Sequence, residues 1–313
     1  MTEHDIKANE FLLQDRLQKI RQIIRKYGEE NFYVSFSGGK DSTVLSALID
    51  MALPDNKIPR VYANTGIEYR LILEFVERER EKPHSWELVI LKPEIPIKPM
   101  LEKEGYPFKS KEHSYYLSEY QSKGEKSKVF QRYLNPEEKR KSFGCPQILR
   151  YQFTNTFRLK VSKNCCDRLK KDPLHKWQKE KNKSIAIVGI MADEGGSRIN
   201  SPCLAFKGKN LNKFQPLIPT TKEWEEWFIE TYNVEISEIY KPPYNFARTG
   251  CKGCPFALEL QESLDTLERF FPAERKQCEI IWKPVYDEYR RLGYRLRKPD
   301  EGRQTTLSEF LNE

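Results

Sequence analysis

No stretch of this 313-residue chain is apolar over the about 18 residues that a membrane-spanning helix needs, and 32% of its residues are charged. A helical membrane protein is excluded, and no membrane partner is expected. Histidine is scarce: His4, His84, His113 and His175 fall at irregular spacing, which leaves a zinc-hydrolase cluster without ligands. The opening Met1-Thr2-Glu3-His4-Asp5 has neither the basic start nor the apolar run of a secretory leader, so a cytoplasmic location is expected. There the seven cysteines are not expected to form a disulfide framework, and their spacing is to be read for metal or redox chemistry. What the chain does have is positive charge. A formal net charge of +8 points to an anionic partner, a nucleotide or a nucleic acid, but the lysines are scattered among glutamates and charge by itself does not choose.

The coarse pattern is α/β. Leu12, Leu13, Leu17, Ile20, Ile23 and Ile24 recur at helical spacing and predict an amphipathic helix over residues 5–27, ending near Gly28. Strands are expected at about 32–36, 59–63 and 86–91, with helices at about 41–52 and 68–82 between them. This alternation implies a parallel sheet covered by helices. Residues 97–144 are rich in Lys, Glu, Ser, Tyr and Pro and read as a polar insertion or mobile loop, whose Tyr115, Tyr116 and Tyr120 offer faces for stacking on a base. Helices are expected again over 146–160 and 165–181, then a buried strand Ser184–Ile190, then helices at 221–232, 257–270 and 273–291. The domain reading is an N-terminal helix at 1–30, a nucleotide-binding α/β domain at 31–220 containing the 97–144 insertion, a helical C-terminal part at 221–300, and a tail at 301–313.

The chemistry concentrates at the first strand-to-helix junction, Tyr33-Val34-Ser35-Phe36-Ser37-Gly38-Gly39-Lys40-Asp41-Ser42. Gly38 and Gly39 let backbone approach an anion, the amides after them open a helix whose positive end favours negative charge, Lys40 adds a movable cation, and Ser35, Ser37 and Ser42 add hydroxyls. The pattern is not G-x-x-x-x-G-K-[ST], because Asp41 separates Lys40 from Ser42. Ser37 to Ser42 instead resembles the SGGxDS signature of the PP-loop ATP pyrophosphatases, which cleave ATP between the α and β phosphates. That resemblance implies a Rossmann-like fold, a parallel sheet with helices on both faces, and an adenine nucleotide, ATP or phosphoadenosine phosphosulfate, bound with Mg²⁺.

A second constellation is the adjacent pair Cys165-Cys166 with Cys251-Lys252-Gly253-Cys254 far downstream. Four thiolates suit a 4Fe-4S cluster or a structural zinc, and adjacent cysteines are unusual for zinc. The run Cys165–Leu174 with Cys251–Pro255 resembles the CC…CxxC pattern of the phosphoadenosine- and adenosine-phosphosulfate reductases. In cluster-bearing members of that family the four cysteines ligate a 4Fe-4S cluster, which the resemblance implies for a helical C-terminal part here. Asn64-Thr65-Gly66 resembles the family's D/N-T-G, Gly189 to Arg198 its G-x-R-x-x-E-S-x-x-R loop, and Phe214-Gln215-Pro216-Leu217 with Trp224 its N-P-L…W segment. By the same resemblance Lys40, Asp41, Glu194 and Arg198 are the catalytic candidates. Ser35, Ser37, Gly38, Gly39, Ser42, Asn64, Thr65, Gly66 and Gly189 are expected to hold the nucleotide, and Lys170 to offset charge near the cluster.

The departures from that family also carry information. Its reductases use a C-terminal nucleophilic cysteine, whereas no cysteine follows Cys278 here, and Met191 stands where the family loop has an arginine. A complete ATP loop with a cluster and no reductase tail fits an ATP-dependent sulfurtransferase, with a sulfur-donor protein as partner and nucleic acid among the acceptors. The alternatives are a sulfonucleotide reductase using an external thiol and a nucleotide-sensing protein without turnover. Cys145, Cys203 and Cys278 read as buried packing residues, with a reactive thiol as the alternative for Cys145. Gln304-Thr305-Thr306-Leu307-Ser308-Glu309-Phe310-Leu311 resembles a Q-x-x-L-x-x-F-[FL] sliding-clamp peptide, against the alternative of a terminal turn docked on its own domain.

Overall fold

The computed structural model describes residues 3–135, 144–194 and 198–299; the tail motif at 304–311 lies outside them. In chain order the elements are α1 (Glu3–Tyr27), β1 (Phe32–Ser35), α2 (Lys40–Ala52), β2 (Arg60–Ala63), α3 (Arg70–Glu81), β3 (Leu88–Leu91), α4 (Ile97–Glu104), α5 (Lys111–Lys123), α6 (Lys128–Leu134), α7 (Asp172–Glu180), β4 (Ile185–Val188), β5 (Leu204–Lys207), β6 (Asn210–Phe214), α8 (Lys222–Thr231), α9 (Leu260–Phe270) and α10 (Pro272–Leu292). They fall into two units, one made of the chain up to Glu94 with Leu169–Thr249, the other of Ile95–Arg168 with the chain from Gly250.

The first unit is a six-stranded sheet of order β3-β2-β1-β4-β6-β5, parallel except for the β5–β6 hairpin. Its central strands are short apolar runs because both faces are covered. Phe32 and Val34 of β1 face a core shared with Leu13, Leu17 and Ile20 of α1 and Leu45, Leu48 and Ile49 of α2. Tyr33 and Ala186 face the other way, where Trp177 of α7 meets Tyr33 edge-on with ring centroids 5.6 Å apart. β2 and β3 extend the sheet to one side of β1 while β4 and β6 extend it to the other, so strand order reverses between β1 and β4. Loops leave that point in opposite directions and open a crevice at the carboxyl ends of the strands. The hairpin escaped the sequence reading, although the two-residue Gly208-Lys209 connection, with Gly208 at φ 62, is a turn signal between two strands.

The second unit corrects the reading of residues 97–144 as a loop. α4, α5 and α6 occupy most of the segment, and His113, Tyr116, Leu117 and Tyr120 recur on α5 at the spacing of one helical face. Ser110 caps α5 by accepting from the His113 amide at 3.1 Å. The tyrosines offered for base stacking are held in an aromatic cluster instead: Tyr116 stacks on Tyr133 at 4.6 Å and Tyr120 meets Phe130 at 5.0 Å. Residues expected as a helix over 146–160 form only the tight turn Gln147–Phe153, which ends where the Thr154 hydroxyl turns back to the Tyr151 carbonyl. The helix expected over 165–181 holds as α7, preceded by the wider π-helical turn Asp167–Lys171.

His113 lies fully buried in this cluster, its ring nitrogens 3.0 Å from the Tyr133 hydroxyl and 2.8 Å from Gln152 Oε1. Burial, helped by the positive charges of Lys109 and Arg295, pushes its pKa down from 6.5 to about 4. A neutral buried imidazole that regains its ordinary pKa on unfolding carries stability that is intact above pH 6.5 and lost progressively as pH falls towards 4. The shift corresponds to a loss on the order of 3 kcal/mol across that window. Urea melts at pH 7, 5.5 and 4.5 should show this slope in the wild type and a flatter one in His113→Gln; equal slopes would remove His113 as its source.

Candidate functional site

The phosphate loop is built by backbone geometry. Gly38 takes φ 70 in the left-handed region, and a Cβ there would stand 2.9 Å from Val76 and 3.0 Å from Ile72 of α3, so only glycine lets the loop lie against that helix. Gly39 then caps α2 in extended conformation without a side-chain cap, and the first amides of α2 have no intrahelical partner. The Gly39 carbonyl accepts from the Thr43 amide at 3.0 Å, the Thr43 hydroxyl at 3.0 Å and the Ser42 hydroxyl at 2.9 Å. Ser42 also accepts from the Ser37 amide at 3.1 Å and lies 3.0 Å from the Ser37 hydroxyl. These bonds, with the Gly39 amide 3.3 Å from the Ser37 hydroxyl, close Ser37 to Thr43 into a tight turn at the start of α2.

The end of β4 approaches this turn without a side chain between them. A Cβ on Gly189 would stand 2.7 Å from the Asp41 carbonyl oxygen and 3.3 Å from the Ser42 amide nitrogen. The result is a cleft of about 200 Å³ lined by Ser35, Ser37, Gly39, Lys40, Asp41, Ser42, Val188, Gly189, Arg198, Tyr240, Ala247, Arg248 and Thr249. Of the residues expected from sequence, the structure gathers Ser35, Ser37, Gly39, Lys40, Asp41, Ser42, Gly189 and Arg198 at this cleft. Gly38 supports it from behind, and Glu194 ends the short turn Ala192–Glu194 in the loop after β4.

Asn64, Thr65 and Gly66 follow β2 and do not line the cleft. Their loop is folded around Glu68, which motif reading passed over. The buried Glu68 carboxylate accepts from the amides of Thr65, Gly66 and Ile67 at 3.0, 3.1 and 3.2 Å and from the Thr65 hydroxyl at 2.6 Å. These amides are satisfied internally, while Gly66 at φ 83 presents open space beside it.

Sequence reading also missed the far wall. Phe246 sets its ring edge-on to Tyr69 at the start of α3, and the Ser237 hydroxyl donates to the Leu71 carbonyl at 2.9 Å, so the chain that carries Tyr240 is anchored on both sides of it to the helix that Gly38 touches, and runs on to Thr249. The Tyr240 hydroxyl bonds that of Thr249, and Lys40 Nζ lies 5.6 Å from the Tyr240 ring centre. Burial pushes the Tyr240 phenol up to about 12, which keeps it neutral at ordinary pH. The sequence cue for this wall is the run Tyr240 to Thr249 just ahead of the Cys-x-x-Cys, which matches no phosphate motif.

The four cysteines all belong to the second unit, and every cysteine is a free thiol. Cys251 to Cys254 forms a turn with Gly253 at φ 62, clamped along one stripe of α10: Trp282 donates to the Lys252 carbonyl at 3.2 Å, Tyr286 to the Gly253 carbonyl, and Tyr289 to the Pro255 carbonyl at 2.9 Å. Lys252 and Glu274 make a buried ion pair below it. The donor chemistry suits iron or zinc, yet among the described residues no three His, Cys, Asp or Glu side chains are gathered closely enough to hold a metal ion. Cys278 is fully buried against Gly253 and its thiol is pushed up to about 12 by burial, and Cys145, also buried, to about 11. Neither is a ready thiolate. Lys170 lies on the turn Asp167–Lys171.

No curated protein matches the chain in sequence. Among solved structures it bears a distant likeness to phosphoadenylyl-sulfate reductase from Candida auris in its phosphate complex, at 13% identity and a TM-score of 0.47 over 80% of this chain and 96% of that one. The ammonia-dependent NAD synthetase of Campylobacter jejuni aligns at 13% identity and 0.41, over 89% and 95%. The U34-tRNA thiolase of Methanococcus maripaludis with its 4Fe-4S cluster aligns at 14% and 0.38, over 91% and 80%. The sequence model of the phosphoadenosine phosphosulfate reductase domain matches residues 31–135 and 116–257, which span the phosphate loop, the cleft and the Cys-x-x-Cys turn, and the chain belongs to that family.

Proposed function

We propose that this chain is an ATP pyrophosphatase that activates an acceptor oxygen as its adenylate for sulfur transfer. The observation that supports it most is the cleft itself, where the complete Ser37–Ser42 turn and Gly189 bring backbone amides, Lys40 and Arg198 around one small volume. In the reaction an acceptor oxygen attacks the α-phosphorus of ATP, the bond to the α–β bridging oxygen breaks, and pyrophosphate leaves. A sulfur nucleophile from a donor protein then attacks the acceptor carbon, and AMP departs with the acceptor oxygen. The amides at the start of α2 stabilise charge growing on the leaving pyrophosphate without reorganising, because the hydrogen bonds of the turn already hold them, and Lys40 and Arg198 add positive charge. Asp41 in the first turn of α2 is the carboxylate placed to hold Mg²⁺ through water.

Cys165, Cys166, Cys251 and Cys254 would hold a 4Fe-4S cluster, which when bound supplies thiolate-ligated iron able to carry sulfur. The clamped turn at Cys251–Cys254 supports this assignment, since a rigid turn holds two ligands at low entropic cost. The family match supports a second reading, reduction of a phosphosulfate by an external thiol; burial of Cys278 removes that residue as its nucleophile. Sulfite release from phosphoadenosine phosphosulfate with added thiol, in the absence of ATP turnover, would favour the second reading.

Two outcomes are expected. Lys40→Ala should abolish conversion of ATP to AMP and pyrophosphate, assayed with RNA, DNA or no acceptor plus sulfide, while its melting temperature stays within about 2 °C because the side chain lies on a surface turn. Activity equal to wild type would overturn the loop assignment. Anaerobically prepared protein should be brown with about four irons per chain, and Cys251→Ser or Cys165→Ser should bleach it. Zinc without iron in such material would replace the cluster with a different metal site.

A further inference from the structure

We propose that Arg248 and Thr249 form the outer half of the phosphate site and hold the phosphates beyond the α position, an assignment that rests on the ATP reading above. The two residues line the cleft together with Lys40, Asp41 and Ser42 of the first turn of α2. The hydroxyl pair of Tyr240 and Thr249 stands over the loop: a Cβ on Gly39 would be 3.2 Å from the Tyr240 oxygen and 3.9 Å from the Thr249 hydroxyl. A ligand on the Gly39–Lys40 backbone therefore has these oxygens directly beside it.

Charge and volume narrow the ligand. Among the described residues that line the cleft, Lys40, Arg198 and Arg248 carry three positive charges and Asp41 one negative charge, an excess of two. One phosphate on the α2 amides and Lys40 leaves Arg248 facing outward along the chain of phosphates, where its planar fork matches two oxygens at once. At about 200 Å³ the cleft is smaller than the roughly 300 Å³ at which sites begin to enclose a whole small molecule. It is sized for the phosphate chain, with the nucleoside lying outside it. Tyr240 is the fixed part of this wall, because it is bonded to Thr249 and held by the anchors on α3. Arg248 is the exposed part of this wall.

Titration calorimetry on the full chain with sodium pyrophosphate, Mg-ATP and AMP tests this. Arg248→Ala should weaken pyrophosphate and Mg-ATP by roughly tenfold to hundredfold, the loss expected for charge-assisted bonds, with AMP unchanged. Thr249→Val should weaken the same two ligands less, and Arg248→Lys should recover part of the loss. If Lys40→Ala loses pyrophosphate while Arg248→Ala binds it as wild type does, the outer-wall assignment is overturned and the loop reading stands. Equal weakening of AMP by Arg248→Ala would also overturn it. Wild-type protein that binds neither pyrophosphate nor Mg-ATP would overturn the ATP reading, and this assignment with it.

Discussion

The contact on which the first unit's site depends is the approach of the β4 end to the first turn of α2, backbone against backbone. Gly189 is the only kind of residue that fits there, since any Cβ would press on the Asp41 carbonyl. That closeness aligns the switch point of the sheet with the positive end of α2, and it places the loop carrying Arg198 on the rim of the same cleft that Lys40 enters. Gly38 performs the matching service on the other side by letting the loop rest on Ile72 and Val76. Two close backbone contacts thus set where the positive end of α2 sits, and the charged side chains gather around it.

α3 has a double role in this arrangement. One part of its surface supports Gly38, while its opening turns anchor Ser237 and Phe246, so the phosphate loop and the Tyr240–Thr249 wall share a foundation. The chain then passes through Gly250 straight into Cys251, which joins the phosphate wall covalently to the cysteine turn. In the second unit that turn is held by polar tips of aromatic residues. Trp282, Tyr286 and Tyr289 bury their rings in the helix packing and donate their N–H and O–H groups to the Lys252, Gly253 and Pro255 carbonyls, the last of which also accepts from Arg295.

Local chemistry made part of this legible in the sequence. The glycines, lysine and serines of residues 37–42 announce an anion-binding turn because their function is carried by backbone freedom and donors adjacent in the chain. The parallel strands β1, β2 and β4 were legible for a similar reason: strands covered on both faces are continuous apolar runs. The aromatic core of the second unit was not, since its apolar surface is carried by tyrosines and a histidine interspersed with lysines, which composition counts as polar. Glu68 was missed because its role, collecting three amides of its own loop, follows from a fold-back rather than from a motif.

By itself the sequence determined the α/β class, the phosphate turn, the four-cysteine pattern and the family those motifs resemble, because each is written in residues close together or at a regular period. Only the tertiary structure decided which distant residues share the cleft. Tyr240, Arg248 and Thr249 come to Lys40 through anchors on α3, between segments about 200 residues apart that no local pattern encodes, whereas Arg198, which the family resemblance had pointed to, comes there through strand order. The same holds for the thiols: burial, a property of packing, raises the Cys145 and Cys278 thiols, and it sets Cys278 against Gly253 in the turn that α10 holds in place.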